Sequence, residues 1–444
     1  MLTLSSGFRY CAVVVVIALS VLVGPAATAA PGDTVWTASY GVPKQFERGL
    51  DSVLTPDGSR FYVTGVDAEG RDGDFLTVAY DAATGAQVWA SSYDAGRRDE
   101  ARGVAVAPDG SRVYVVGVSR PADAPRDYVT IAYDGATGDE LWVARYDGTE
   151  HGRDEPSCVA ASDTTVFVTG ASRGRGYWDF GSVAYDAATG QERWTARFDR
   201  RDSIDFAQGC TVAPDGSAFF VTGLNFIGER DAGSAVTIAY SSTLGRTIWS
   251  DRFDRRRLGW DEGIAVTISE DGSHVYVVGR SNRGRRGTPD YLTVAYEATS
   301  GSIEWHRVDK DPHYFGMARD VAGAPDGSTV YVTGDSGGNV RTVAYSAEGG
   351  SERWHRTYRT RDFGQGESLA VSPDGSTVYV AGWEAFQSFA IAYDASSGAT
   401  LWERHEPASA WGSVTTSPDG ALVYAAGIVA VGEDRNVFVA AYEG

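Results

Sequence analysis

The chain has 444 residues, 59 acidic against 39 basic, and a formal charge of −20, with 54 Gly, 23 Tyr, 12 Trp and three Cys. That acidic balance argues against nonspecific nucleic-acid binding, which draws its affinity from a basic face set against phosphates. No Lys/Arg run supports a membrane-surface patch, and three cysteines are too few for a disulfide-built scaffold.

In chain order, residues 1–30 come first and differ from the rest. They carry one charge, Arg9, then the apolar run from Ala12 to Val23, then Gly24-Pro25 and the small-residue end Ala27-Thr28-Ala29-Ala30. This reads as a cleaved secretory leader. No later stretch is long and apolar enough to span a bilayer, so residues 31–444 are expected to be secreted as one soluble, monomeric unit.

From Trp36 onward a single pattern fills the chain. Its landmarks are a tryptophan at 36, 89, 142, 194, 249, 305, 354 and 402, and an Ala-Tyr pair at 79-80, 132-133, 184-185, 239-240, 295-296, 344-345, 392-393 and 441-442. The Trp intervals are 53, 53, 52, 55, 56, 49 and 48 residues. In the unit that reaches Trp142, four short strands are predicted. They are Gly103–Val106, then Val113–Gly117 after the turn Pro108-Asp109-Gly110, then Tyr128–Tyr133, and a last one around Trp142 after Asp134–Gly138. Alternating β-branched and aromatic residues bounded by Gly, Asp and Pro are strand and hairpin signals. No window has a helical period.

Four-strand units at this spacing predict an all-β protein, a single eight-bladed β-propeller. Trp36 precedes the first Ala-Tyr pair and no Trp follows Ala441-Tyr442. The N-terminal strand should therefore complete the last blade and close the ring, removing two free sheet edges. Cys158 and Cys210 are read as equivalent positions in the first strands of consecutive units, in a column otherwise filled by Ser52, Val104, Ile264, Val321, Leu369 and Val414. Neighbouring blades could bring them near enough for a bridge, which needs a Cα separation of roughly 4.4 to 6.8 Å; two buried free thiols are the favoured reading and a disulfide the alternative.

The segment Ala79-Tyr80-Asp81-Ala82-Ala83-Thr84-Gly85-Ala86-Gln87-Val88-Trp89, repeated from Ala184 to Trp194, resembles the tryptophan-docking repeat of quinoprotein-type eight-bladed propellers. Tyr62-Val63-Thr64-Gly65 and Tyr331-Val332-Thr333-Gly334 are similar to bacterial YVTG-type propeller repeats. The resemblance implies the fold. It also implies, for quinoprotein enzymes, a pyrroloquinoline quinone on the axis with calcium, an acidic base and commonly two adjacent cysteines. This sequence has no adjacent cysteines, and its Asn225, Asn282, Asn339 and Asn436 form no evident ligand motif.

First-to-second and third-to-fourth connections are tight and uniform (Pro56-Asp57-Gly58, Pro214-Asp215-Gly216), whereas the others are long and differ in every unit. By alternation the variable connections share one face, and variable loops on a rigid frame are the usual carriers of function. Trp178, Trp260, Trp383 and Trp411 fall there, with Phe46, Tyr177, Phe206, Phe226, Tyr314, Phe315, Phe363 and Phe386, among Arg and Asp. Such rings suit a sugar, peptide or planar ligand, or else plug the channel mouth. Carboxylates precede several first strands: Asp99-Glu100, Asp154-Glu155, Asp261-Glu262 and Glu367. They suit acid-base work or ion pairing with Arg97, Arg98, Arg102 and Arg153.

Three further motifs carry less. The loop acids Asp67, Glu69, Asp72 and Asp74 lack calcium-loop order, and Asp74 recurs as Asp127, Asp179 and Asp290 at the start of third strands. Gly334-Asp335-Ser336-Gly337-Gly338 copies a protease nucleophile segment, yet Gly334 is the repeat's own glycine. The six His show no metal spacing. The expectation is a secreted binding module that uses its variable-loop face for an unidentified ligand or protein, with no cofactor, metal or catalysis of its own. The contact residues are expected to be Trp178, Trp260, Trp383, Trp411, Tyr177, Phe206, Tyr314, Phe363, Glu100, Glu155 and Glu262. The alternative is an extracellular enzyme on the propeller axis, a quinoprotein-like oxidoreductase or a hydrolase/lyase.

Overall fold

The repeat's apolar runs dictate how its sheets must be covered. In the unit that reaches Trp142, β6 (Arg98–Val106), β7 (Arg112–Arg120), β8 (Asp127–Asp134) and β9 (Glu140–Tyr146) form an antiparallel meander. β7 and β8 are buried along nearly their whole length, whereas β9 leaves most of its residues exposed. A sheet apolar on both faces has to lie between two neighbours, with its fourth strand outermost.

The computed structural model describes residues 30–444 except 42–45, 70–71, 121–124, 201–202, 228–231, 256–258, 283–287, 310–314, 386, 408 and 433. The described residues form 32 strands and no helix, arranged as eight four-stranded blades. β1 (Thr34–Tyr40) pairs antiparallel with β32 (Asp434–Glu443), beside β31 (Leu422–Val431) and β30 (Ser409–Thr416), so one blade is built from both ends of the described chain. The first blade is β2 (Phe46–Leu54), β3 (Arg60–Glu69), β4 (Asp72–Asp81) and β5 (Gln87–Tyr93).

The two sequence landmarks are cross-strand partners. Ala79 lies opposite Trp89, Ala132 opposite Trp142 and, across the ring closure, Ala441 opposite Trp36. The small alanine leaves room for the indole, which reaches into the following blade. Trp89 Nε1 donates to the Gly135 carbonyl at 3.0 Å, Trp142 to Ala187 at 3.1 Å and Trp354 to Ala395 at 2.8 Å. Tyr62 donates its hydroxyl to the same Gly135 oxygen at 2.9 Å, which accounts for the tyrosine that opens the Tyr-Val-Thr-Gly segment. Each ring also rests on a turn glycine of the next blade. Gly138 has φ +76°, and a Cβ there would come within 2.6 Å of the Trp89 ring, so both conformation and contact require glycine.

The second-strand glycine has a different cause. A Cβ on Gly117 would lie 2.1 Å from the Glu100 carbonyl oxygen, because the first strand crosses it closely at a β-bulge. All eight first strands carry this bulge at the same place.

The bulge corrects the expectation for the cysteines. Cys158 is the first residue beyond the bulge of β10 (Asp154–Ala161), opposite Thr169, whereas Cys210 is the second beyond the bulge of β14 (Ile204–Val212), opposite Val221. They are one residue out of step, so their side chains leave opposite faces of successive sheets and meet. They form a disulfide, with Cα atoms 5.8 Å apart. The same offset links other blades: Asp51 accepts from Val104 N–H at 3.0 Å, Asp320 from Leu369 N–H at 2.8 Å, and Ser413 bonds Ser52 at 2.6 Å. Inner strands thus approach closely enough for direct bonds, and free thiols are not what this contact holds.

Candidate functional site

Each first strand begins on the variable-loop face, where it leaves a blade-to-blade connection and turns toward the axis. Its opening aspartates are structural. Asp99, Asp154, Asp205 and Asp261 are fully buried, and each accepts a backbone N–H of the preceding connection: Ala95 at 2.6 Å, Gly148 at 2.8 Å, Arg200 at 3.2 Å and Arg255 at 2.9 Å. This corrects the pairing of Asp99, Asp154 and Asp261 with their neighbouring glutamates as acid-base couples.

The glutamates are engaged with cations. Glu100 pairs with Arg98 at 3.2 Å, and Glu155 with Arg102 at 3.2 Å and Arg126 at 3.4 Å. Glu262 receives Arg280 at 2.5 Å, Trp260 Nε1 at 3.2 Å and the Gln208 amide, while the Arg280 guanidinium lies 5.4 Å over the Trp260 ring. Glu367 receives Trp383 Nε1 at 2.9 Å and Arg319 at 3.5 Å. Arg319 also bonds the buried Asp335 at 2.9 Å.

The aromatic candidates separate into several groups. Trp178, Trp260 and Trp383 are half-buried and pack at a tilt on Phe206, Phe226 and Phe363, with ring centroids 5.9, 4.9 and 5.9 Å apart. Arg173 lies over Trp178 at 5.8 Å. Among the described residues, Tyr177, Phe315 and Phe363 are the exposed rings of this face, at 44, 43 and 46 %. Trp411 is a correction: it is 1 % exposed and stacked on Phe438, so it offers no ring to a ligand. It fills the position before the bulge that Ala101, Ala207 and Gly263 occupy elsewhere. Tyr314, Phe386 and the side chain of Phe46 lie outside the described residues.

Two first-strand carboxylates escaped the sequence reading. Asp51 and Asp320 occupy the same post-bulge position in two blades, and each accepts two backbone N–H groups, Ser52 and Val104 for one, Val321 and Leu369 for the other. Burial pushes both carboxyls up to about 6 despite those bonds. Their only sequence signal was an acid in a column otherwise small or apolar.

A protein-family model described as Outer membrane protein assembly factor BamB matches residues 23–177 and 179–441. The chain belongs to this BamB family. Among solved structures, this BamB-family propeller is similar to Sqt1 of Chaetomium thermophilum, at 13 % identity over 93 % of this chain and 98 % of that one, with a TM-score of 0.63. It is also similar to Sqt1 bound to the N-terminus of the ribosomal protein L10 (14 %, 93 % and 100 %, 0.61). A third is the C-terminal WD40 domain of Sif2 (9 %, 93 % and 99 %, 0.56). These likenesses establish the propeller fold. No curated protein matches by sequence.

Within this BamB-family chain the donor set of a quinoprotein axis does not fit. Cys158 and Cys210, the two described cysteines, stand on separate blades and are bonded to each other, not adjacent in sequence. The protease-like segment is likewise a tight connection, with Asp335 held by Arg319 and positive φ at Gly337 and Gly338.

Proposed function

We propose that this BamB-family propeller is an exported interaction module, with residues 1–30 as its leader and residues 31–444 as the working domain. It captures a protein or peptide partner across the variable-loop face and performs no catalysis of its own. The observation that carries this reading is the state of the mouth glutamates. Glu155, Glu262 and Glu367 are each already bonded to arginine, so they favour a surface of paired charges and half-buried rings over a free acid-base couple. Exposed Tyr177 and Phe363 beside such pairs match the aromatic-rich, charge-paired make-up of recognition surfaces. The Sqt1 neighbour holds a protein segment, and a propeller rim of this kind suits the same use.

A photo-crosslinking residue placed at Tyr177 or Phe363 in producing cells is expected to trap one partner. The same residue at Val88 or Leu141, exposed on the outer strands, should not. Adducts only from the outer strands, or from no position, overturn the reading. A second reading, a hydrolase or lyase on the axis, is favoured by Asp51 and Asp320, whose raised carboxyls suit proton transfer. Hydrolysis of a substrate panel that is lost in Asp320→Asn but retained in Glu262→Gln would support it.

A further inference from the structure

On the tight-turn face, opposite the variable loops, a cavity of about 310 Å³ opens between the fourth and fifth blades. Its buried lining is apolar, made by Ala218, Phe220 and Ala298, with exposed Ile248 beside them. Asp215 and Asp271 stand at its exposed edge. Bonds from Ser217 to the first, and from Ser269 and Ser273 to the second, hold both carboxyls below their ordinary value. Among the described residues no arginine or lysine lines the cavity or pairs with either acid. His274, which acts on Asp271 electrostatically, is held by Glu304 at 3.2 Å.

Other blades show what spans this position in the repeat. Arg60 follows Pro56-Asp57-Gly58-Ser59 as Ala218 follows Pro214-Asp215-Gly216-Ser217, and it pairs with Asp81 at 3.2 Å. In the third blade the arginine comes from the outer strand instead. Arg193, just before Trp194, donates to Thr165 at 2.8 Å and pairs with Asp186 at 2.7 Å. The fourth blade has neither arginine: Ala218 replaces one, and Ile248, just before Trp249, replaces the other. Ser241, opposite Ala218, stands where the paired acid was. Phe220 removes a further group. Its counterparts Tyr62, Tyr114 and Tyr331 each donate a hydroxyl to the turn carbonyl of the next blade, at 2.9, 3.3 and 3.3 Å. Here the Ala298 carbonyl receives Trp249 Nε1 at 2.7 Å and, Phe220 having no hydroxyl, loses that second donor.

We propose that this cavity receives an arginine side chain of a protein partner, supplied in trans where the repeat's own arginine is missing. The aliphatic stem covers Ala218 and Ile248. The guanidinium carries donors only, which matches the carboxylates of Asp215 and Asp271 and the Ala298 carbonyl. A volume of roughly 300 Å³ is the lower end for ligand pockets and suits one long side chain better than a cofactor. The site faces away from the variable loops and does not depend on what they bind.

The test is NMR titration of the chain from residue 31, with alanine methyls labelled and acetyl-Gly-Arg-Gly-amide as the probe. The Ala298 methyl is expected to shift saturably, while that of Ala392, buried in the seventh blade, stays in place. The citrulline analogue, similar in shape but uncharged, should bind about fivefold more weakly or worse. Ala218→Arg, which copies Arg60, and Ile248→Arg, which copies Arg193, should each fill the cavity in cis and abolish the shift. Ile248 is exposed, so its replacement does not threaten folding. Free L-arginine, whose carboxylate meets the acidic edge, should bind more weakly than the blocked peptide. Absence of a saturable shift, equal binding of the citrulline peptide, a wild-type titration in Ile248→Arg, or tighter binding of free arginine each overturns the proposal.

Discussion

Replacing both Cys158 and Cys210 with serine removes a covalent link between successive blades. The bridge closes a loop with a sequence separation of 52 residues. Loop-closure entropy for that length corresponds to about 4 kcal/mol at 25 °C. Unfolding entropy for a chain of this size is about 0.9 kcal/mol/K, so the double variant should melt roughly 5 °C below the wild type. The assay is a thermal melt of both proteins without reductant, with the wild type also melted in dithiothreitol, which should reproduce the variant's value. Thiol titration of the denatured, unreduced chain from residue 31 should find no reactive group. Two reactive thiols would refute the bridge. A variant that melts within about 1 °C of the wild type would refute the claim that the bridge restricts the unfolded chain.

Trp89→Ala removes a ring held by Tyr62, Tyr133 and the Gly135 carbonyl, and should cost about 3–5 kcal/mol in denaturant unfolding. Trp178→Ala, on a half-buried ring outside that column, should cost much less. Gly138→Ala forces a Cβ against Trp89 at positive φ and should lose about 1–3 kcal/mol, seen as a lower urea midpoint. The pH dependence follows from Asp51 and Asp320. Their carboxyls titrate near 6 in the folded protein against an ordinary 3.8, so the folded state holds the protons more tightly. Their contribution to stability is full below pH 4 and is lost as pH rises through 6, at up to about 3 kcal/mol each. Asp51→Asn/Asp320→Asn should therefore flatten the fall in Tm between pH 4.5 and 7; an unchanged slope would show that other groups carry it.

The ring and its closure were legible because Trp and Ala-Tyr recur in strict register and face each other across one pair of strands. Local alternation could not reveal the bulge in each first strand. Cys158 and Cys210 looked equivalent because the turn after β10 is two residues shorter than the one after β14, and only a count from the shared bulge shows them one residue out of step and in contact. The bulge also hid Asp51 and Asp320 as groups facing the next blade's inner strand and placed Trp411 among core positions. The loop acids without calcium-loop order are divided by the fold. Asp67 and Asp74 are cross-strand partners, while the Asp74 carboxylate gathers with Asp94 from the connection after β5 and Asp99 from the start of β6. Contacts between blades join residues some fifty positions apart, beyond the reach of any window read along the chain.

The pairing of β1 with β32 joins Trp36 to Ala441, 405 positions apart. Every other blade can be finished from one contiguous stretch, so contact order across this molecule is low except at that seam. A chain folding from its N-terminal side completes seven blades as they arrive, while β1 waits with an unsatisfied edge until β32 appears. The closing step is then slow and late, and during it the waiting strand is an adhesive template for other chains. That makes the final blade the place where assembly of this protein succeeds or aggregates.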